Sequence, residues 1–195
     1  MTAIPIPETT AWTLPRRGRV GMFFFILAES SIFAVFVAAY LYYSGRSITG
    51  PMPREVLRFP ILMTVCLLSS SLTIHRAMQA LKRRAMATFI RYWVATILLG
   101  AAFLYGTARE WHELIAVHHL TIHTNLFGSS YYAIVGLHAS HVIAGMIMLL
   151  VVAVFGATGR VRSEHVERVD VISIYWHFVD VIWIVVVNVV YVVGR

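Results

Sequence analysis

Five Asp, Glu and His side chains interrupt three runs that are otherwise apolar, and any chemistry in this sequence begins with them. Glu29 lies in Gly-Met-Phe-Phe-Phe-Ile-Leu-Ala-Glu, residues 21–29; His138 and His141 lie in Gly-Leu-His-Ala-Ser-His, residues 136–141; His177 and Asp180 lie in Trp-His-Phe-Val-Asp, residues 176–180. In hydrocarbon a charged side chain costs about 2.5–3.5 kcal/mol or more at mid-helix, so each of these needs a partner or a polar cavity. Two kinds of chemistry fit. Chains of Asp, Glu and His relay protons in membrane proteins. The same residues, with Trp176, can instead hydrogen-bond from helix to helix and fix which helices are neighbours, at about 0.6–2 kcal/mol per bond. For His138, His141, His177 and Asp180 the interhelical role is the stronger reading. For Glu29, set among Phe23, Phe24, Phe25 and Phe33 with few local partners, the two are balanced.

The elements that position these residues are membrane spans. Hydrophobic residues make up 59% of the chain and charged residues 13%, and mean hydropathy is +0.76. A soluble domain is closer to half apolar and one quarter charged. Counting runs of about 20 apolar residues predicts five transmembrane helices, at residues 21–43, 59–80, 89–108, 131–155 and 171–193, in one all-α membrane domain covering residues 1–195. Glu29 then sits about 12 Å along the first helix. Asp180 sits at nearly the same depth in the fifth, which runs in the same direction. His138 and His141, three residues apart, share a face of the fourth.

Most Lys and Arg residues fall before the first span, between the second and third, and between the fourth and fifth. The positive-inside rule therefore places the N-terminus in the cytoplasm and the C-terminus outside. The net charge of +7 is read as that rim, divided among three short segments, and no nucleic-acid partner is expected. A cleaved signal peptide is not expected, because the first apolar run is long and contains Glu29. The single cysteine, Cys66, lies within the second span, so an intrachain disulfide and a thiolate cluster are excluded. Nine histidines prompt a search for metal or haem. His138 and His141, on one helix, cannot face each other across a macrocycle. His112, His118, His119 and His123, with Glu110 and Glu113, are placed in the loop after the third span at spacings that match no specific site, and no bound metal is expected.

Three ordered motifs resemble the subunit III family of the haem-copper respiratory oxidases. The first is Gly21-Met22-Phe23-Phe24-Phe25 with Glu29, ending in Tyr40-Leu41-Tyr42-Tyr43. The second is Tyr131-Tyr132, Gly136, His138, His141-Val142 and Gly145. The third is the unbroken Tyr175 to Trp183, preceded by His165 and Asp170, the latter in place of a frequent Glu. The resemblance implies a five-helix bacterial version of a bundle that has seven helices in longer members. It implies a subunit without haem or copper of its own, non-catalytic, packed against the catalytic subunit I beside subunit II. Its roles would be to stabilise that site, bind phospholipid and support proton uptake during O2 reduction in the bacterial inner membrane. Glu29 carries over as the intramembrane acid of the family, and a headgroup-binding Arg falls loosely at Arg160 or Arg162. Residues of the two missing helices have no counterpart here.

Two other functions stay open at this point. The same module serves quinol oxidases or accompanies nitric oxide reductases, and the donor cannot be read from the motifs. An independent proton-coupled carrier is the remote alternative, but such carriers tend to show inverted repeats and helices broken near the midplane. No Pro lies deep within any span here.

Overall fold

Without water, backbone N–H and C=O groups must pair within their own segment, so each apolar run folds as a helix. The computed structural model describes residues 17–47, 49–160 and 165–194. Among these residues there are six α-helices, α1 Arg17–Tyr43, α2 Pro53–Val56, α3 Ile61–Lys82, α4 Met86–Ala116, α5 Leu126–Ala157 and α6 Val166–Val187, with a π-helical end to α6 at Asn188–Val193. Five are long and apolar enough to cross a membrane: α1, α3, α4, α5, and α6 together with its π-helical end. Among the described residues there are no strands. The short α2 starts on Pro53, and the Glu55 carboxylate accepts from the Met52 N–H at 3.1 Å.

Several helix limits differ from the sequence expectation. α4 runs on to Ala116, two turns past the expected end, so Glu110, His112 and Glu113 are helical and not in a loop. The polar run beginning at Arg109 continues the helix because its inner face still meets protein: Thr107 and Leu114 are buried. α1 already includes Arg17, four residues before the expected start, and Arg19 is held by Asp170 near the start of α6. The tight α3–α4 turn closes at Arg84, whose left-handed φ of 60° lets the Ala85 N–H reach the Ala80 carbonyl at 2.9 Å.

α6 is the hub. It packs on α1, α3 and α5, while α4 closes the far side by packing on α3 and α5. In its most apolar window 56% of α6 is buried, against 6% for α1. Hence α1 is an outer helix resting on the α5–α6 groove, with Phe23, Phe24 and Leu27 exposed.

The core is assembled around tryptophans. A Cβ added at Gly100 would come within 2.9 Å of the Trp176 ring, and one at Gly145 would also come within 2.9 Å, so two glycines on α4 and α5 form the slot for this indole. Trp176 donates to Ser70 Oγ at 2.8 Å, Trp183 to Thr64 Oγ1 at 3.2 Å, and Trp93 to the Leu149 carbonyl at 2.9 Å. Thr73 and Thr96 join α3 to α4 at 2.8 Å. At the other end of α5, Asn125 caps the helix by accepting from the Gly128 N–H at 2.8 Å. Its amide donates to the carbonyls of Thr49 and Pro51 at 3.0 and 3.1 Å.

Candidate functional site

Glu29 and His141 meet between α1 and α5, with Glu29 Oε2 3.0 Å from His141 Nε2. His141 Nδ1 lies 2.8 Å from the Leu137 carbonyl, which can only accept, so Nδ1 carries a hydrogen. The Nε2···Oε2 bond then needs one more proton, on the acid or on the imidazole. Either way the pair shares that proton and carries no net charge, which is how a carboxyl and an imidazole become tolerable at this depth. Phe33 packs on the imidazole with ring centroids 5.0 Å apart, and Tyr175 donates to the His141 carbonyl at 3.1 Å. The side chains retain 13% and 20% exposure, for His141 and Glu29 respectively, enough for a lipid or water to touch the carboxyl edge.

His138 behaves differently from its expected role. It is fully buried, stacked on Trp183 at 5.1 Å and edge-on to Phe103 at 5.7 Å. Among the described residues neither ring nitrogen has a hydrogen-bond partner, so His138 makes no interhelical hydrogen bond with them. His138 and His141 stand 3 residues apart, which leaves about 60° between their side chains. At a helix so closely surrounded, that angle separates a neighbour on α1 from neighbours on α4 and α6.

Asp180 points toward α3. Its Oδ2 accepts from Ser71 Oγ, and Ser71 Oγ lies 2.9 Å from His177 Nδ1, so one hydroxyl bridges the imidazole and the carboxyl. Glu29 and Asp180 therefore answer to different neighbours, α5 and α3. At the end of the bundle where Arg160 lies, Arg160, His165 and Arg168 rim a groove of about 320 Å³ whose walls are Val152, Phe155 and Val169. Arg162 lies outside the described residues. Among the described residues no group of three or more His, Cys, Asp or Glu is placed to hold a metal ion.

The three motifs thus converge. Glu29 of the first meets His141 of the second, while Gly145 of the second makes the slot for Trp176 of the third. The chain matches the family described as cytochrome c oxidase subunit III over residues 11–195. It belongs to the cytochrome c oxidase subunit III family. It is 31% identical over 177 residues to cytochrome c oxidase subunit 3 of Alkalihalophilus pseudofirmus, covering 90% of this chain and 86% of the relative. With the subunit 3 of Bacillus sp. strain PS3 it is 32% identical over 190 residues, 96% and 91% of the two chains. It is also 32% identical over 176 residues to cytochrome bo(3) ubiquinol oxidase subunit 3 of Pseudomonas aeruginosa, 89% and 84%. As a subunit III of a haem-copper oxidase, it is one component of a multi-subunit complex.

Two participants in this subunit III were missed from sequence. Ser71 was hidden in Ser69-Ser70-Ser71, although small polar residues within a span signal helix contacts. Glu110, assigned to a loop, accepts from Tyr191 at 2.9 Å, and Tyr191 lies 3.4 Å from Tyr131, joining the ends of α4, α5 and α6. The signal was Tyr131 and Tyr191 themselves, phenols that need a polar partner when buried.

Proposed function

We propose that this chain is the non-catalytic subunit III of a bacterial cytochrome c oxidase, packed against subunit I in the cytoplasmic membrane with its N-terminus inside. The observation that carries the reading is the family match over residues 11–195, with all three motifs of the resemblance inside it. In this role the haems and copper belong to partner subunits, and this chain stabilises subunit I, holds phospholipid and supports proton uptake. The Glu29–His141 pair supports a lipid or proton role because a shared proton sits at a partly exposed position. The groove at Arg160 combines a cationic rim with apolar walls, which suits a phosphate headgroup above acyl chains. The Arg and Lys clusters supply the orientation.

A quinol oxidase is the second reading, the kind of complex named for the relative from P. aeruginosa. One experiment tests both. The tagged chain is extracted in mild detergent or lipid nanodiscs, and the visible spectrum and turnover of the copurified material are recorded. Haem bands with stoichiometric subunit I and turnover on cytochrome c are expected. Turnover on quinol alone would replace the first reading with the second, and a colourless chain in nanodiscs would overturn both.

A further inference from the structure

The contacts of Asp180 go beyond an interhelical bond. Ser71 Oγ has one hydrogen and two partners, Asp180 Oδ2 and His177 Nδ1. Only two arrangements satisfy both bonds when the imidazole is neutral. In one, Ser71 donates to the Asp180 carboxylate and accepts from His177 Nδ1–H. In the other, the Asp180 acid donates to Ser71, which donates to an unprotonated Nδ1. The two differ by one proton added at His177 Nε2 together with a concerted shift along the row. Asp180 is 3% exposed, and its Oδ1 is buried without a hydrogen-bond partner among the described residues. His177 is half-buried, so the row runs from a partly accessible imidazole to an enclosed carboxyl.

A polar stripe leads to it. Ser71, His75 and Gln79 follow one another at i, i+4 and i+8 along one face of α3. His75 and Gln79 are exposed, with the Gln79 amide nitrogen 2.9 Å from His75 Nε2. The stripe reaches the end of α3 that carries Lys82, Arg83 and Arg84. The charged neighbours of His177 are His75 on α3 and Asp170 on α6, and Asp170 is paired with Arg19 of α1. From α5, His141 is engaged by Glu29 and His138 is stacked on Trp183.

We propose that Ser71, His177 and Asp180 form a reversible proton-binding site, loaded through His177, beside the polar stripe of His75 and Gln79, from the basic end of the bundle. A proton from water adds to His177 Nε2. The Nδ1 proton then passes to Ser71 Oγ as the Ser71 hydroxyl proton passes to Asp180 Oδ2. The products are neutral imidazole protonated on Nε2, an intact Ser71 hydroxyl and the Asp180 acid. One proton has moved from water to Asp180, and no electron has been transferred. This site is separate from the Glu29–His141 pair and does not depend on which redox subunits surround the chain.

The sequence makes the test selective, because Asp170 and Asp180 are its only aspartates. The full chain, labelled with ¹³C-aspartate, is placed in phosphatidylcholine nanodiscs, and its infrared spectrum is followed as buffer is stepped from alkaline to acid and from H2O to D2O. A protonated-carboxyl band that carries the label and vanishes in Asp180→Asn is expected. In Ser71→Ala its deuterium exchange should slow by at least about tenfold, given that positioned proton-transfer groups accelerate transfer by about 10² to 10⁴. Ser71→Thr should restore the rate. His177→Gln should slow exchange as Ser71→Ala does, and it serves as the second variant if Ser71→Ala fails to fold. Exchange at the wild-type rate in folded Ser71→Ala or His177→Gln would overturn the proposal, as would an Asp180 band that never responds to the pH step. Copurification with haem is unaffected by either result, so failure here is distinct from failure of the oxidase reading.

Discussion

Each polar residue in this bundle is defined by what sits across the helix interface. Glu29 and His141 hold one proton between them, and Glu29→Gln keeps a group that can donate to Nε2. The fold is therefore expected to survive, with altered phospholipid content or faster loss of activity during turnover; lipid analysis and progress curves of the purified complex check this. Asp180→Leu removes the acceptor of Ser71. It should lower the yield of assembled complex by weakening the α3–α6 contact by about 0.6–2 kcal/mol, measured as the amount of chain recovered with haem. An unchanged yield would mean that the Asp180–Ser71 bond contributes nothing to assembly.

At the scale of helices, close approach governs the fold. Trp176 is enclosed by Gly100 on α4 and Gly145 on α5, so Gly145→Ala forces the indole or α5 to shift. A loss of about 1–3 kcal/mol is expected from overpacking, read as a lower unfolding temperature in detergent. Asn125 caps α5 and also donates to two carbonyls of the α1–α2 connection. Asn125→Ala should cost about 1–2 kcal/mol through the cap, and faster proteolysis of that connection would report the loss of its tie.

For the whole molecule, the notable asymmetry is the thin attachment of α1. It is fastened by Arg19–Asp170 near one end, Glu29–His141 midway, and Tyr40 to the Val190 carbonyl with Ser47 to the Phe127 N–H near the other. Arg19→Ala combined with Glu29→Leu removes two of these ties. The double variant should expose α1 to cross-linking by reagents that a single variant resists, and the two effects should exceed additivity because both act on one rigid helix. Measuring both single variants and the double one in nanodiscs checks this.

Composition and run length alone determined that this is a helical membrane protein with five spans, since hydrocarbon leaves a long apolar segment no other way to pair its backbone. Motif order likewise made the family legible, because Glu29, His141, Gly145 and Trp176 are tied to geometry that tolerates few substitutes. The tertiary structure decided what periodicity could not. It continued α4 through Glu110, because buried contacts outlast the apolar run. It gave His138 and His141 different partners, because neighbouring helices lie at different angles around α5. It joined Ser71, His177 and Asp180, because contacts between α3 and α6, more than 100 residues apart in sequence, leave no local trace beyond a row of serines.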